Sequence, residues 1–192
     1  MTVPTRLTVA RFLLAFVVMA LVFVPGWIAK ASALAGFLLA GLTDWLDGYL
    51  ARRWQQTSPF GALLDPIADK VLVLGIFLVF VQLRLVPAWM VLVILLRELV
   101  ITSVRLYAAS RNVVIAAARE GKNKTASQML AILLVLVLLL MRELLEGRQP
   151  AFEEWMARLV LASMWVTVLL TMVSGATFFW RNRALLTDAV AR

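Results

Sequence analysis

The sequence predicts an all-α integral membrane protein, with six transmembrane helices and both termini in the cytoplasm. Hydrophobic residues make up 63% of the 192 residues, and the mean hydropathy is +0.93. The apolar residues form six segments, each near the ~20 residues that a helix needs to cross a bilayer. Charged residues make up 16% of the chain, against roughly 25% in soluble proteins. These observations exclude an ordinary soluble domain.

The six apolar segments follow one another without a second domain, so we interpret residues 1–192 as one membrane domain. Their expected bounds are 7–24, 31–52, a start between 59 and 66 with an end near 83, 87–110, 125–141 and 155–180. The first segment has the composition of a secretory signal, but we expect it to be retained as the first membrane helix. Pro87 suits the first turn of the fourth helix.

Lysine and arginine in the connections set the orientation of the helices. Twelve of these residues lie on the side of the two termini, and five lie on the other side. Because cytoplasmic loops carry the excess of positive charge, both termini are predicted to face the cytoplasm. We expect a multi-pass protein of the inner (cytoplasmic) membrane. The net charge of +8 then reflects contact with the membrane surface, and we expect no nucleic-acid partner.

Four of the five aspartates lie within 26 residues, at the junction of the second and third segments. Residues three, four, seven and eight positions apart share one face of a helix. The second helix therefore carries one face formed by Asp44, Asp47, Gly48, Ala51 and Arg52. The third helix carries Asp65 and Asp69 on one face. A short connection predicts that the two helices are antiparallel neighbours, so the four carboxylates converge at the cytoplasmic boundary of the membrane.

The chemistry of this cluster is restricted by what the chain lacks. It contains no cysteine and no histidine, so acid–base and metal chemistry must fall to carboxylates. Four ionised carboxylates close together repel one another, and divalent cations relieve that repulsion. Oxygen ligands suit Mg²⁺, Mn²⁺ or Ca²⁺, and four of them are enough for two ions. The alternative is an ion or proton pathway of a transporter, but the small residues and the arginine in register favour phosphate-plus-metal chemistry.

The pattern Asp44-x2-Asp47-Gly48-x2-Ala51-Arg52-x8-Gly61-x3-Asp65-x3-Asp69 resembles the signature of the CDP-alcohol phosphatidyltransferases in all eight fixed residues. The resemblance implies a six-helix membrane enzyme, usually a homodimer. Such an enzyme transfers a phosphatidyl or related group from a CDP-linked donor to a hydroxyl group and releases CMP. The resemblance also implies Mg²⁺ or Mn²⁺, with two ions expected.

The resemblance assigns roles to the matching positions. Metal binding is implied for the four aspartates: Asp44, Asp47, Asp65 and Asp69. Asp69 is also implied as the catalytic base that deprotonates the acceptor hydroxyl. Gly48, Ala51 and Arg52 are implied to line the nucleotide site, with Arg52 on the diphosphate. Thr5 stands where related proteins commonly carry an asparagine, and we assign it to the donor cytidine.

Further segments resemble one branch of the family, the phosphatidylglycerophosphate synthases. They are residues 4–11, 65–73, 97–105 and 122–129. The implied donor is CDP-diacylglycerol and the implied acceptor is sn-glycerol 3-phosphate. We assign the acceptor phosphate to Arg105, Lys122 and Lys124, with Arg97 as a further candidate. Lys122 and Lys124 are expected in the loop between the fourth and fifth helices.

Some alternatives stay open at this stage. Other members of the family use phosphatidylglycerol or inositol phosphate as acceptor, and a divalent-cation transporter is a candidate from another class. Arg97 and Glu98 are as well explained by a structural pair as by an acceptor site. Arg11, in the first helix, is expected to extend its guanidinium to the membrane interface rather than line the site.

Overall fold

The computed structural model describes residues 3–54, 59–111, 120–145 and 150–183. For residues 3–8, 44–54, 59–69 and 120–123 this description covers the backbone alone. The described ranges contain six helices and no strand: α1 (Val3–Phe23), α2 (Trp27–Trp54), α3 (Pro59–Gln82), α4 (Ala88–Ser110), α5 (Glu120–Leu144) and α6 (Pro150–Arg181). The predicted all-helical order is confirmed over these ranges.

The apolar segments of two helices, Lys124–Leu144 and Pro150–Arg181, are long and apolar enough to cross a bilayer. Shorter apolar stretches occupy Val9–Phe23, Trp27–Thr43 and Lys70–Gln82. The fourth helix differs because its sequence contains three charged residues, Arg97, Glu98 and Arg105. The lengths and composition of these helices agree with the predicted membrane protein.

Several helices begin earlier than the apolar pattern predicts. The fifth helix starts at Glu120 instead of near residue 125, so Lys122 and Lys124 lie on a helix and not in a loop. The first starts at Val3 instead of near residue 7. Backbone hydrogen bonds form a helix without apolar side chains, so a helix extends beyond its apolar segment by one or more polar turns. The expected loop position of the two lysines is therefore wrong.

The first helix packs against both α2 and α3 through two close approaches. A Cβ atom added at Gly36 would lie 2.8 Å from Val18 Cγ2, and one at Gly75 would lie 2.6 Å from Met19 Sδ. Glycine at these positions lets the helices come close enough for dense packing. Buried apolar residues from α1 to α6 continue this contact into one core.

A short turn joins α1 to α2, and Gly26 adopts a φ of 100° there. Its backbone N–H donates a hydrogen bond to Glu143 Oε2 (3.0 Å) on α5. Lys30 Nζ donates to the carbonyl oxygens of Val22 (2.6 Å) and Val24 (2.8 Å), which are free at the end of α1. These contacts fix the first two helices in antiparallel directions.

Candidate active site

The two halves of the aspartate motif lie on separate helices. Asp44 and Asp47 lie on α2, and Asp65 and Asp69 lie on α3. Their side chains, with those of Gly48, Ala51, Arg52 and Thr5, lie outside the described residues, so the implied contacts of these groups stay predictions. Their backbone positions are described, and they can be compared along the axis of α1.

Both halves of the motif lie toward the same end of the bundle. Gly36 of α2 lies against Val18, and Gly75 of α3 lies against the next residue of α1, Met19. The two glycines are therefore at the same height along the axis of α1. From there, residues 44–47 lie roughly 12–16 Å along α2, and residues 65–69 roughly 9–15 Å along α3. The two helices run in opposite directions, since four residues separate them. The aspartates are therefore brought to one level, at the end of the bundle where α1 begins.

Arg11 lies at this same end and is buried. It precedes Val18 by seven residues, roughly 10 Å along α1, and its exposed fraction is 2%. The expectation that Arg11 reaches the membrane interface is wrong. Arg11 stands one turn before Ala15 on the buried face of α1, the helix that packs against α2 and α3. The acidic residues of α2 and α3 are the four motif aspartates. Arg11 is therefore a buried cation at the end of the bundle where these aspartates lie.

A second group of polar residues joins α4, α5 and α6. Glu98 Oε1 accepts a hydrogen bond from Arg97 Nη1 (3.2 Å) and another from Lys124 Nζ. Arg97 Nη2 donates to Ser174 Oγ on α6 (2.7 Å). The side chains of Arg97, Glu98 and Lys124 are 10%, 14% and 10% exposed. The Arg97–Glu98 pair that the sequence suggested is confirmed, and Lys124 shares its carboxylate.

The third helix adds another cation to this group. Lys70 Nζ donates a hydrogen bond to Thr102 Oγ1, which in turn donates to the Glu98 carbonyl oxygen (2.7 Å). We call the set the polar cluster; its members are Lys70, Arg97, Glu98, Thr102, Lys124 and Ser174. It contains three basic side chains and one carboxylate, so positive charge is in excess. Buried charges are stable when they are paired, and an anion would balance the excess.

A pocket of about 220 Å³ opens between α3, α4 and α5 beside the polar cluster. It is lined by Lys70, Val73, Leu74, Glu98, Lys124, Thr125 and Gln128. Lys70 directly follows Asp69 in the sequence, and Val73 follows Asp69 by one helical turn. The pocket therefore adjoins the part of α3 that carries the motif.

The other residues predicted to bind the acceptor phosphate lie apart from the pocket lining. Arg105 is exposed, and its Cζ lies 5.7 Å from the centroid of the Phe178 ring on α6. Arg97 and Arg105 both contact α6, so they lie on a similar face of α4. Lys122 lies in the first turn of α5, and its side chain is outside the described residues.

Sequence reasoning did not assign a role to Lys70, Thr102 or Gln128. The sequence did contain an indication for Lys70. This charged residue stands between a motif aspartate, Asp69, and the apolar segment that begins at Val71. No periodic pattern predicts that Lys70 meets Thr102, since this contact depends on how α3 packs against α4.

Comparisons with known proteins agree with the motif. The family model described as CDP-alcohol phosphatidyltransferase matches residues 1–180. The CDP-diacylglycerol–glycerol-3-phosphate 3-phosphatidyltransferase of Bacillus subtilis (strain 168) is 37% identical over 191 residues, covering 93% of this chain and 94% of the relative. Proteins of the same name from Cereibacter sphaeroides and Pseudomonas fluorescens are 34% and 36% identical. The match to the Cereibacter sphaeroides protein covers 97% of this chain and 98% of that relative. The match to the Pseudomonas fluorescens protein covers 81% of this chain and 77% of that relative. The chain belongs to the CDP-alcohol phosphatidyltransferase family.

Proposed function

We propose that the protein transfers the phosphatidyl group of CDP-diacylglycerol to sn-glycerol 3-phosphate and releases phosphatidylglycerophosphate and CMP. The names of relatives that match nearly the whole chain support this reaction. The observation that carries the choice of acceptor is the polar cluster, whose excess positive charge borders a small pocket next to the motif. A small phosphate-bearing alcohol fits this environment in charge and in size.

The motif aspartates would hold the metal. Their chemistry fits Mg²⁺ or Mn²⁺, because all four ligands are carboxylates and the chain offers neither histidine nor cysteine. The backbone brings Asp44, Asp47, Asp65 and Asp69 to one level, which supports a shared site for two ions. Bound there, the ions would supply neutralisation of the donor diphosphate. We expect EDTA to abolish turnover and added Mg²⁺ to restore it.

The chain's own residues perform the remaining steps. Arg52 binds the donor diphosphate, Gly48 and Ala51 leave room for the nucleotide beside α2, and Thr5 contacts the cytidine. Asp69 accepts the proton of the acceptor hydroxyl. The hydroxyl oxygen forms a bond to the lipid-linked phosphorus, and the bond from that phosphorus to the oxygen of CMP breaks.

The acceptor phosphate binds at the cytoplasmic ends of α4 and α5. Lys124 is half of an ion pair with Glu98 and lines the pocket, so it is the first candidate to contact the phosphate. Lys70 lines the same pocket and joins the candidates. Arg97 pairs with the same carboxylate oxygen of Glu98. Arg105 is exposed and would guide the anion inward together with Lys122.

The proposed arrangement in the membrane follows from the same reasoning. All six helices cross the inner membrane, both termini lie in the cytoplasm, and the site opens to the cytoplasm. There a soluble acceptor meets a donor whose acyl chains remain in the bilayer. We also propose that the enzyme acts as a homodimer among membrane lipids.

The test is an assay of CMP release by purified protein in lipid nanodiscs. CDP-diacylglycerol and Mg²⁺ are supplied with one acceptor at a time: glycerol 3-phosphate, phosphatidylglycerol or inositol phosphate. We expect release with glycerol 3-phosphate. Release with another acceptor alone would assign the chain to a different branch of the family. Cation flux into liposomes without any need for a cytidine nucleotide would instead indicate a transporter.

A further inference from the structure

Gln128 is a buried polar residue that the proposed mechanism leaves unused. It lies on α5, one turn after Lys124, and its exposed fraction is 4%. Its side chain lines the pocket between α3, α4 and α5. Its Nε2 atom is buried and has no hydrogen-bond partner in the part of the chain that the structure describes.

A buried N–H group without a partner is costly, and most such groups in proteins are hydrogen-bonded. Gln128 lines a pocket, so an oxygen atom of a bound molecule can complete the bond when the side-chain amide turns toward it. The polar side of the pocket is formed by Lys70, Glu98, Lys124 and Thr125, together with Gln128 itself. The apolar side is formed by Val73 and Leu74, which offer no competing acceptor. The unused donor therefore belongs to a residue that lines a space suited to a polar ligand.

The volume of the pocket restricts that ligand. A cavity of about 150 Å³ in another protein holds benzene, so about 220 Å³ suffices for a small polar molecule. A diacyl lipid does not fit into this space. The lysines suit the phosphate of a three-carbon acceptor, and the remaining polar atoms of such an acceptor are its hydroxyl groups.

We propose that Gln128 is a specificity-determining residue whose Nε2 donates a hydrogen bond to the 2-hydroxyl oxygen of glycerol 3-phosphate. This assignment rests on the proposed function. The 2-hydroxyl does not react; the terminal hydroxyl makes the new bond to phosphorus. Gln128 thus distinguishes the natural acceptor from an alcohol phosphate that lacks the 2-hydroxyl.

The experiment compares two acceptors in two variants. The acceptors are glycerol 3-phosphate and 3-hydroxypropyl phosphate, which keeps the reacting hydroxyl and the phosphate but lacks the 2-hydroxyl. The variants are Gln128→Met, which keeps the length of the side chain without its donor, and Thr171→Val. Thr171 is the matched control, because its Oγ1 is also buried without a hydrogen-bond partner among the described residues, but Thr171 does not line the pocket.

We expect the wild type to prefer glycerol 3-phosphate by about 10-fold in kcat/KM, the effect of one buried hydrogen bond. Gln128→Met should lose this preference by losing activity with glycerol 3-phosphate alone, and Thr171→Val should keep it. An equal decrease with both acceptors in Gln128→Met would overturn the assignment, since it would indicate a structural role. If Gln128→Met does not fold, Gln128→Leu serves for the same comparison. A wild type that releases no CMP with glycerol 3-phosphate would overturn the proposed function and this assignment with it.

Discussion

The motif region of α2 and α3 and the polar cluster of α3–α6 differ in how they are encoded. The motif region uses eight residues at fixed spacing on two helices that are consecutive in the chain. The polar cluster draws three residues from α4 and one each from α3, α5 and α6, and its contacts bridge up to 77 positions in sequence, from Arg97 to Ser174. The first region is encoded by local periodicity, and the second by the way that the helices pack.

This difference suggests a division of labour. In the proposed function, the motif supplies the residues for metal binding, diphosphate binding and proton transfer. The polar cluster, with the pocket beside it, is the proposed site of the acceptor phosphate. Variants in the first region should stop chemistry, while variants in the second should change stability or acceptor use.

The largest effect is expected for Asp69→Asn. The amide cannot accept the proton of the acceptor hydroxyl, so turnover should fall by about 10²–10⁴-fold, the usual contribution of a general base. Binding of the cytidine nucleotide should be largely retained, as measured by isothermal titration calorimetry with CMP. Substantial remaining turnover in the CMP-release assay would reject Asp69 as the base.

Glu98→Gln should destabilise the fold. It leaves Arg97 and Lys124 buried without the carboxylate that both contact, and breaking a buried pair costs about 3–5 kcal/mol. Thermal unfolding in detergent should show a clear decrease in the melting temperature. The matched control is Glu154→Gln, which breaks an exposed pair with Arg158 and should change stability by about 0–1 kcal/mol. Equal changes in the two variants would show that Glu98 does not hold the polar cluster together.

Gly36→Ala should be more destabilising than Gly75→Ala, although both new methyl groups meet a neighbour on α1. The first meets Val18 Cγ2 at 2.8 Å, and a β-branched side chain has little freedom to move. The second meets the end of Met19, which is flexible. Overpacking at Gly36 should cost about 1–3 kcal/mol. The reverse order in thermal unfolding would contradict the close α1–α2 contact that sets the level of the motif.

Arg105→Ala should have the smallest effect and should act on one substrate. If Arg105 guides the acceptor phosphate, the variant should raise KM for glycerol 3-phosphate by about 10-fold, as expected for a charge-assisted contact, and leave KM for CDP-diacylglycerol unchanged. Arg111→Ala is the control, because Arg111 also stacks on an aromatic ring at the end of α4. Equal changes in KM for both substrates would exclude acceptor recognition by Arg105.

The helices and the motif could be predicted from the sequence, because apolar length and helical spacing are local properties. The starts of α1 and α5 could not, since apolarity marks the segment inside the bilayer and says little about polar turns outside it. The burial of Arg11 was missed for a related reason: an arginine near a helix end is usually at the interface, and only packing against α2 and α3 buries it. Lys70 and Gln128 became candidates because three helices enclose a pocket that both residues line.

The most direct test of the division between the two regions is a competition between acceptors. Purified protein receives CDP-diacylglycerol, Mg²⁺ and equal concentrations of glycerol 3-phosphate, phosphatidylglycerol and inositol phosphate, and the lipid products are identified by mass spectrometry. We predict phosphatidylglycerophosphate as the main product of the wild type, and a lower share of it in Lys124→Met, which removes a cation that lines the pocket. Cardiolipin or phosphatidylinositol phosphate as the main wild-type product would contradict the account.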